Sequence, residues 1–243
     1  AKQSNGGSIV AELTVSAIIA CAGSFSRMNG LNKQLYELCG IPVAVRSMLA
    51  FEKLDEVKEI IVSARECDVD TFKNLAEKYG VTKLKSVTVG GATRQESVFK
   101  AFAEVSKETR FVAVHDGARP LVSADNIRKC IKDASIFGGA TLGVPVKDTI
   151  KYVDSGLIVD TPDRKKLYIT QTPQIFRRDV YVKGINFAND HELDFTDDCQ
   201  LAEAVGVKVN MTISDYRNIK ITTEEDLAIA EAILKMEESR CSE

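Results

Sequence analysis

Short apolar runs alternate along the chain with segments whose apolar residues recur at helical spacing. TVSAIIA (14–20), EIIVSA (59–64), LKSVTV (84–89), FVAVHD (111–116) and ATLGVPV (140–146) read as strands. Between them, 42–53 opens with Pro42, a favoured first helical position, and sets Val45, Met48 and Leu49 at helical spacing. A helix over 68–80 ends at Gly80, and 93–106 aligns Val98, Phe102 and Val105. Ser123 or Asp125 caps a further helix that stops near Gly138-Gly139. This βαβα order predicts an α/β fold: a Rossmann-like, doubly wound, mostly parallel sheet with helices on both faces.

The rhythm breaks at 147–172. TIKYV and LIV flank Asp154-Ser155-Gly156, a hairpin signal, and no helix fits the polar residues that follow. A lone hairpin cannot bury itself, so within a single domain over 14–240 the segment 147–172 reads equally as a projecting β-arm or as an ordinary surface excursion. Beyond it, 177–188 predicts a helix, and 196–205 a second one capped by Thr196 or Asp194. VKVNMTI (207–213) is a strand, and Thr223 caps a helix from Glu224 to Met236. The polar ends, AKQSNGGSIVAE and ESRCSE, are left outside the fold.

Composition narrows the functions. A net charge of −3 gives no basic field for nucleic acid, so anions must be held by locally placed Arg and Lys. No long apolar run suggests a membrane segment. The six Cys form no CxxC pair and read as reduced thiols of a cytoplasmic protein. With two His in the chain, a multi-His metal site is excluded.

Ligands of open α/β sheets bind outside the carboxyl ends of the strands, and three polar segments sit there. Ala22-Gly23-Ser24-Phe25-Ser26-Arg27-Met28, with Lys33 beyond, joins small residues to two cations and suits phosphates. It is not a Walker A loop, and a solvated turn would look the same. Gly90-Gly91-Ala92-Thr93-Arg94 permits close backbone approach and puts Arg94 and Ser97 one helical turn apart. A plain strand-to-helix turn would read alike. In His115-Asp116-Gly117-Ala118-Arg119-Pro120, a carboxylate at a strand end is placed to hold Mg²⁺ between nucleotide phosphates. His115 reads as a packed residue. Thr149, Arg164, Thr172, Thr196 and Lys220 each have bland surface or capping readings taken singly.

In order, these motifs resemble the 2-C-methyl-D-erythritol 4-phosphate cytidylyltransferase family. The resemblance is carried by Ala22-Gly23, Arg27-Met28, Lys33-Gln34, Gly90-Gly91 with Arg94 and Ser97-Val98, and HDGARP at 115–120. VPVKDT (144–149), Asp163-Arg164, Thr172-Pro173-Gln174, Thr196-Asp197 and NIKIT (218–222) continue it. Phe25 stands where the family has a second glycine, Asn32 where it has proline, and the stretch from Arg27 to Lys33 is one residue short.

The resemblance implies CMP transfer from CTP to a small sugar-alcohol phosphate, 2-C-methyl-D-erythritol 4-phosphate, with Mg²⁺ and release of pyrophosphate. It implies catalytic roles for Arg27, Lys33, Arg164 and Lys220. The nucleotide would lie against Ala20, Cys21, Ala22, Gly23, Gly90, Gly91, Ala92 and Ser97, with Asp116 and Gly117 near the ribose or metal. Thr149, Arg164, Thr172, Thr196 and Lys220 would hold the sugar phosphate. It further implies a homodimer in which the arm completes the partner's site. Two alternatives stand beside it: a ribitol-5-phosphate cytidylyltransferase on the same scaffold, and a nucleotide-binding protein without catalysis. A dehydrogenase is disfavoured, since no GxGxxG follows the first strand.

Overall fold

The computed structural model describes residues 13–23 and 32–241. Its elements are β1 (Val15–Ala20), β2 (Glu37–Leu38), β3 (Ile41–Pro42), α1 (Val43–Glu52), β4 (Val57–Ala64), α2 (Val69–Lys78), β5 (Leu84–Val89) and α3 (Arg94–Phe102). Then come β6 (Phe111–Asp116), α4 (Ala124–Phe137), β7 (Gly139–Pro145), β8 (Tyr152–Asp154), β9 (Leu157–Asp160) and β10 (Tyr168–Arg177). The chain closes with α5 (Arg178–Asp190), α6 (Cys199–Ala204), β11 (Asn210–Ile213) and α7 (Glu224–Cys241).

Seven strands form one sheet in the order β11-β7-β10-β6-β1-β4-β5. β1 pairs in parallel with β4 and β6, β4 with β5, and β7 with β11, while β10 runs antiparallel between β6 and β7. Alternation along β1 explains the two layers. Ala17 and Ile19 pack with Val45, Met48 and Phe51 of α1, Phe72 of α2 and Ile131 of α4. Ile18 faces the other side, with Val98 of α3, Tyr181 of α5 and Leu201 of α6. α7 docks separately, burying Leu227 and Ala230 with Leu38, Val43 and Ile221. Ser123 caps α4 by accepting from the Asn126 N–H, and Gly138 ends it at φ +86°.

Two expectations need correction. Residues 168–172, assigned to the arm, begin β10 in the middle of the sheet. Their polarity hides the strand, because Gln171, Thr172 and Gln174 are buried toward the site rather than in an apolar core. The helix expected at 196–205 begins only at Cys199. Thr196 caps nothing there: its N–H and hydroxyl both donate to Gln200 Oε1, while Asp197 accepts from the Gln200 N–H. The hairpin itself is β8-β9, with Ser155 and Gly156 at positive φ in the turn. No helix among the described residues is long and apolar enough to cross a membrane.

Candidate active site

The parallel strands β1, β4, β5 and β6 end side by side, and their loops surround a cavity of about 560 Å³. Ala20, Ala22, Gly23, Lys33, Gly91, Ala92, Ser97, Asp116 and Lys220 line it, together with Gln34, Arg65, Thr93, Arg94 and Ala118. A smaller cavity of about 160 Å³ adjoins it and shares Arg94, Asp116 and Lys220; Thr172, Thr196, Gln174 and Asp197 are among its other walls.

The glycine-rich corner is built by close approach. A Cβ on Gly90 would lie 2.4 Å from Ala22 Cβ and 2.9 Å from Ser97 Oγ. Ser97 Oγ accepts from the Gly91 N–H at 2.9 Å and donates to Thr93 O at 2.8 Å, which fixes the turn. Thr93 caps α3 through the Glu96 N–H, and Glu96 accepts in return from the Ala92 N–H.

Asp116 is the hub between the cavities. Lys220 Nζ lies 2.8 Å from its Oδ2, Arg119 Nε 3.6 Å from Oδ2, and Arg94 Nε 3.5 Å from Oδ1. Burial pushes its pKa upward, but the charges of Arg94, Lys220 and Arg119 outweigh that and hold the carboxyl far below the usual range. Arg94 is itself shared with Asp198, at 2.7 Å, and Asp198 accepts from the Tyr181 hydroxyl at 2.6 Å. Asp116 is therefore ionised and already compensated by three cations.

His115 stands behind this hub. Its Nε2 meets the Arg119 carbonyl at 3.2 Å, and its Nδ1 meets Thr172 Oγ at 3.0 Å. A carbonyl only accepts, so Nε2 carries the proton, and the Thr172 hydroxyl donates to Nδ1. The same hydroxyl accepts from the Asp116 N–H at 3.0 Å. Burial lowers the imidazole pKa to about 4. His115 is thus a neutral, fully used strut under Asp116, in line with its reading as a packed residue.

The structure gathers most of the residues named from sequence. Cys21, Gly90 and Gly117 lie behind the cavity wall. The Cys21 N–H is used by Ser63 O, the Gly117 N–H by Ala20 O, and Cys21 Sγ would be 2.3 Å from a Cβ on Gly117. Thr149 and Arg164 line neither cavity; both are exposed on the arm, where Arg164 Nη1 donates to Lys147 O at 2.8 Å. Arg27 falls outside the described residues. Among described residues, no cluster of three or more His, Cys, Asp or Glu could hold a metal ion, so Asp116 is not part of a ready-made protein site. The sequence pointed to neither Arg65 nor Asp198, and it placed Gln34 and Gln174 in motifs without giving either a role. Arg65 had a usable signal, a cation placed directly after the carboxyl end of a strand.

The sequence pattern of the 2-C-methyl-D-erythritol 4-phosphate cytidylyltransferase family matches residues 15–236. The protein of that name from Caldanaerobacter subterraneus subsp. tengcongensis is 43% identical over 226 residues, covering 92% of this chain and 100% of its own. Its namesake from Shouchella clausii is 40% identical over 225 residues, 92% of this chain and 98% of its own. The crystal structure of 4-diphosphocytidyl-2C-methyl-D-erythritol synthase from Anaerococcus prevotii matches with a TM-score of 0.82 at 32% identity, over 91% of this chain and 96% of that one.

Proposed function

The chain belongs to the 2-C-methyl-D-erythritol 4-phosphate cytidylyltransferase family, and from that premise we propose how its residues divide the work. It is a nucleotidyltransferase of the non-mevalonate isoprenoid pathway. CTP takes the larger cavity, with its base toward Gly91, Ala92 and Ser97 and its triphosphate toward Lys33; the charge-stabilising role of Arg27 rests on the family resemblance alone. The phosphate of the acceptor takes the smaller one, against Lys220 and Thr196, while Thr172, whose hydroxyl proton goes to His115, shapes its wall and holds Asp116 in place. The observation that carries this reading is the meeting of the two cavities at Asp116 and Lys220.

An acceptor phosphate oxygen attacks the α-phosphorus of CTP, and the bond to the β-phosphate oxygen breaks, releasing pyrophosphate. A phosphate monoester, with a second pKa of about 6, is already mostly dianionic at neutral pH, so no general base is required. That agrees with a cavity whose nearest imidazole is buried and engaged at both nitrogens. Positioning and charge neutralisation remain, and the cations on either side of Asp116 are suited to both. The donor set fits a divalent ion only if it arrives with the nucleotide. Asp116 would then be its single carboxylate ligand, phosphate oxygens and water completing the shell, and the ion would offset triphosphate charge.

The reading extends to a cytoplasmic homodimer. Cys21, Cys39, Cys67, Cys130 and Cys199 are free thiols, as a reducing compartment maintains. On the β8-β9 hairpin, Leu157 is 72% exposed and Tyr152 64%, with Ile158 beside them, an apolar surface suited to a second subunit. Arg164 would then reach the partner's acceptor phosphate. Mixing inactive Lys33→Ala and Arg164→Ala subunits tests this. Hybrid dimers would hold one intact site each and restore about a quarter of wild-type turnover. No recovery in proven hybrids would mean that each site is built within one chain. Lys220→Ala should mainly raise KM for the acceptor; a change confined to CTP would reverse the cavity assignment.

A further inference from the structure

Lys33 is held at its base by a bridge that reaches across the cavity mouth to the loop after β4. Asn32 Oδ1 accepts from the Gln34 N–H at 3.1 Å and Asn32 O accepts from the Leu35 N–H at 3.0 Å, so the backbone turns around Lys33. The Asn32 amide donates to Asp68 Oδ2 at 3.3 Å, and Arg65 Nε lies 2.7 Å from the same oxygen. On the far side, the Ala44 N–H donates to Gln34 O, tying the turn to α1.

Asp68 occupies the N-cap position of α2, where aspartate ordinarily caps its own helix, yet its side chain makes no capping bond. Its carboxylate is buried and turned to Asn32 and Arg65 instead. We propose that Arg65, Asp68 and Asn32 form a positioning relay that sets where the Lys33 ammonium sits against the CTP phosphates. This rests on the assignment of Lys33 to those phosphates. Arg65 and Asp68 come from one strand end and Asn32 from the segment of Lys33, so the relay joins two walls of one cavity. Transition-state charge stabilisation is sensitive to displacement of about 1 Å, which can cost on the order of 100-fold in rate.

The test compares Asp68→Ala, Asp68→Asn, Asn32→Ala and Lys33→Ala in pyrophosphate release with CTP saturating and the acceptor varied, alongside thermal unfolding. Asp68→Ala and Asn32→Ala should lower kcat about tenfold or more, with KM for the acceptor within about twofold. Asp68→Asn keeps an acceptor for the Asn32 amide and should recover most of kcat. If Asp68→Ala unfolds, Asn32→Ala carries the test alone, because its side chain is only half buried. Normal kcat in a folded Asn32→Ala or Asp68→Ala, with Lys33→Ala crippled, overturns the relay and leaves the role of Lys33 standing. Normal turnover by Lys33→Ala overturns the assignment beneath it.

Discussion

Replacing Gly90 by alanine adds one methyl group at the closest approach in the nucleotide corner. That carbon would lie 2.4 Å from Ala22 Cβ, 2.9 Å from Ser97 Oγ and 3.4 Å from Ser63 Oγ. Carbon–carbon contact is comfortable from about 3.5 Å, so Ala22 and Gly90 must separate by roughly 1 Å. Ala22 has no rotamer with which to yield. Ser97 cannot swing away without losing its bonds to Gly91 and Thr93. The displacement therefore falls on the backbone of Ala22 and Gly23 or of Gly91 and Ala92, all cavity lining. Overpacking of this kind costs about 1–3 kcal/mol. Expressed in the reaction, that is roughly 5- to 150-fold in kcat/KM for CTP. Steady-state pyrophosphate release, varying each substrate, should show the loss on CTP with KM for the acceptor little changed. A variant whose kcat/KM for CTP stays within about twofold of wild type would refute the packing argument.

Two further predictions concern pH. Protonation of the acceptor phosphate should make kcat/KM for the acceptor fall with a single ionisation near pH 6 as pH is lowered; a limb near pH 4 instead, where His115 titrates, would bring the imidazole into the reaction. Glu59 is buried and accepts from Ser16 Oγ at 2.6 Å and from the N–H and hydroxyl of Ser106, with Lys85 Nζ 3.0 Å away. Burial raises its pKa, but these bonds outweigh it and leave the carboxyl below its ordinary value of about 4.5. Its stabilisation is therefore complete above that value and lost as pH falls through the lower folded-state value. Glu59→Gln should cost about 1–3 kcal/mol at pH 7 by urea unfolding, and the difference from wild type should shrink below pH 4.5. A difference independent of pH would contradict that assignment.

The parallel half of the fold was legible because its chemistry is local. β1, β4 and β6 each carry a short apolar run, AIIA, IIV and FVAV, as strands buried on both faces do. Ser123 and Gly138 mark the ends of α4 by side-chain capping and positive φ. β10 was illegible for the opposite reason. Its buried positions are polar because they serve the site: Gln171 donates to Asp215 O, Gln174 to Asp197, and Thr172 supports both Asp116 and His115. Period and hydropathy carry no trace of such bonds. The candidate site followed the same division. Loops at strand ends could be named from their glycines and cations, and Lys33, Gly91 and Asp116 line one cavity; Lys220, singled out only by the family resemblance, lines it too. Partners that act across the chain, such as Asp198 on Arg94 and Asp68 on Asn32, have no local signature. The arm residues Thr149 and Arg164, raised from bland surface readings by the family resemblance alone, lie away from both cavities.

The most direct measurement of the central claim is pyrophosphate release by the wild-type chain and by Lys33→Ala, with CTP and 2-C-methyl-D-erythritol 4-phosphate supplied together, each omitted in turn, and ribitol 5-phosphate offered as the competing acceptor. Release should require both substrates and strongly prefer the methylerythritol acceptor, and Lys33→Ala should lower kcat by about 100-fold or more, as for loss of one transition-state charge contact. Near-normal turnover by Lys33→Ala, or equal use of ribitol 5-phosphate, would contradict that claim.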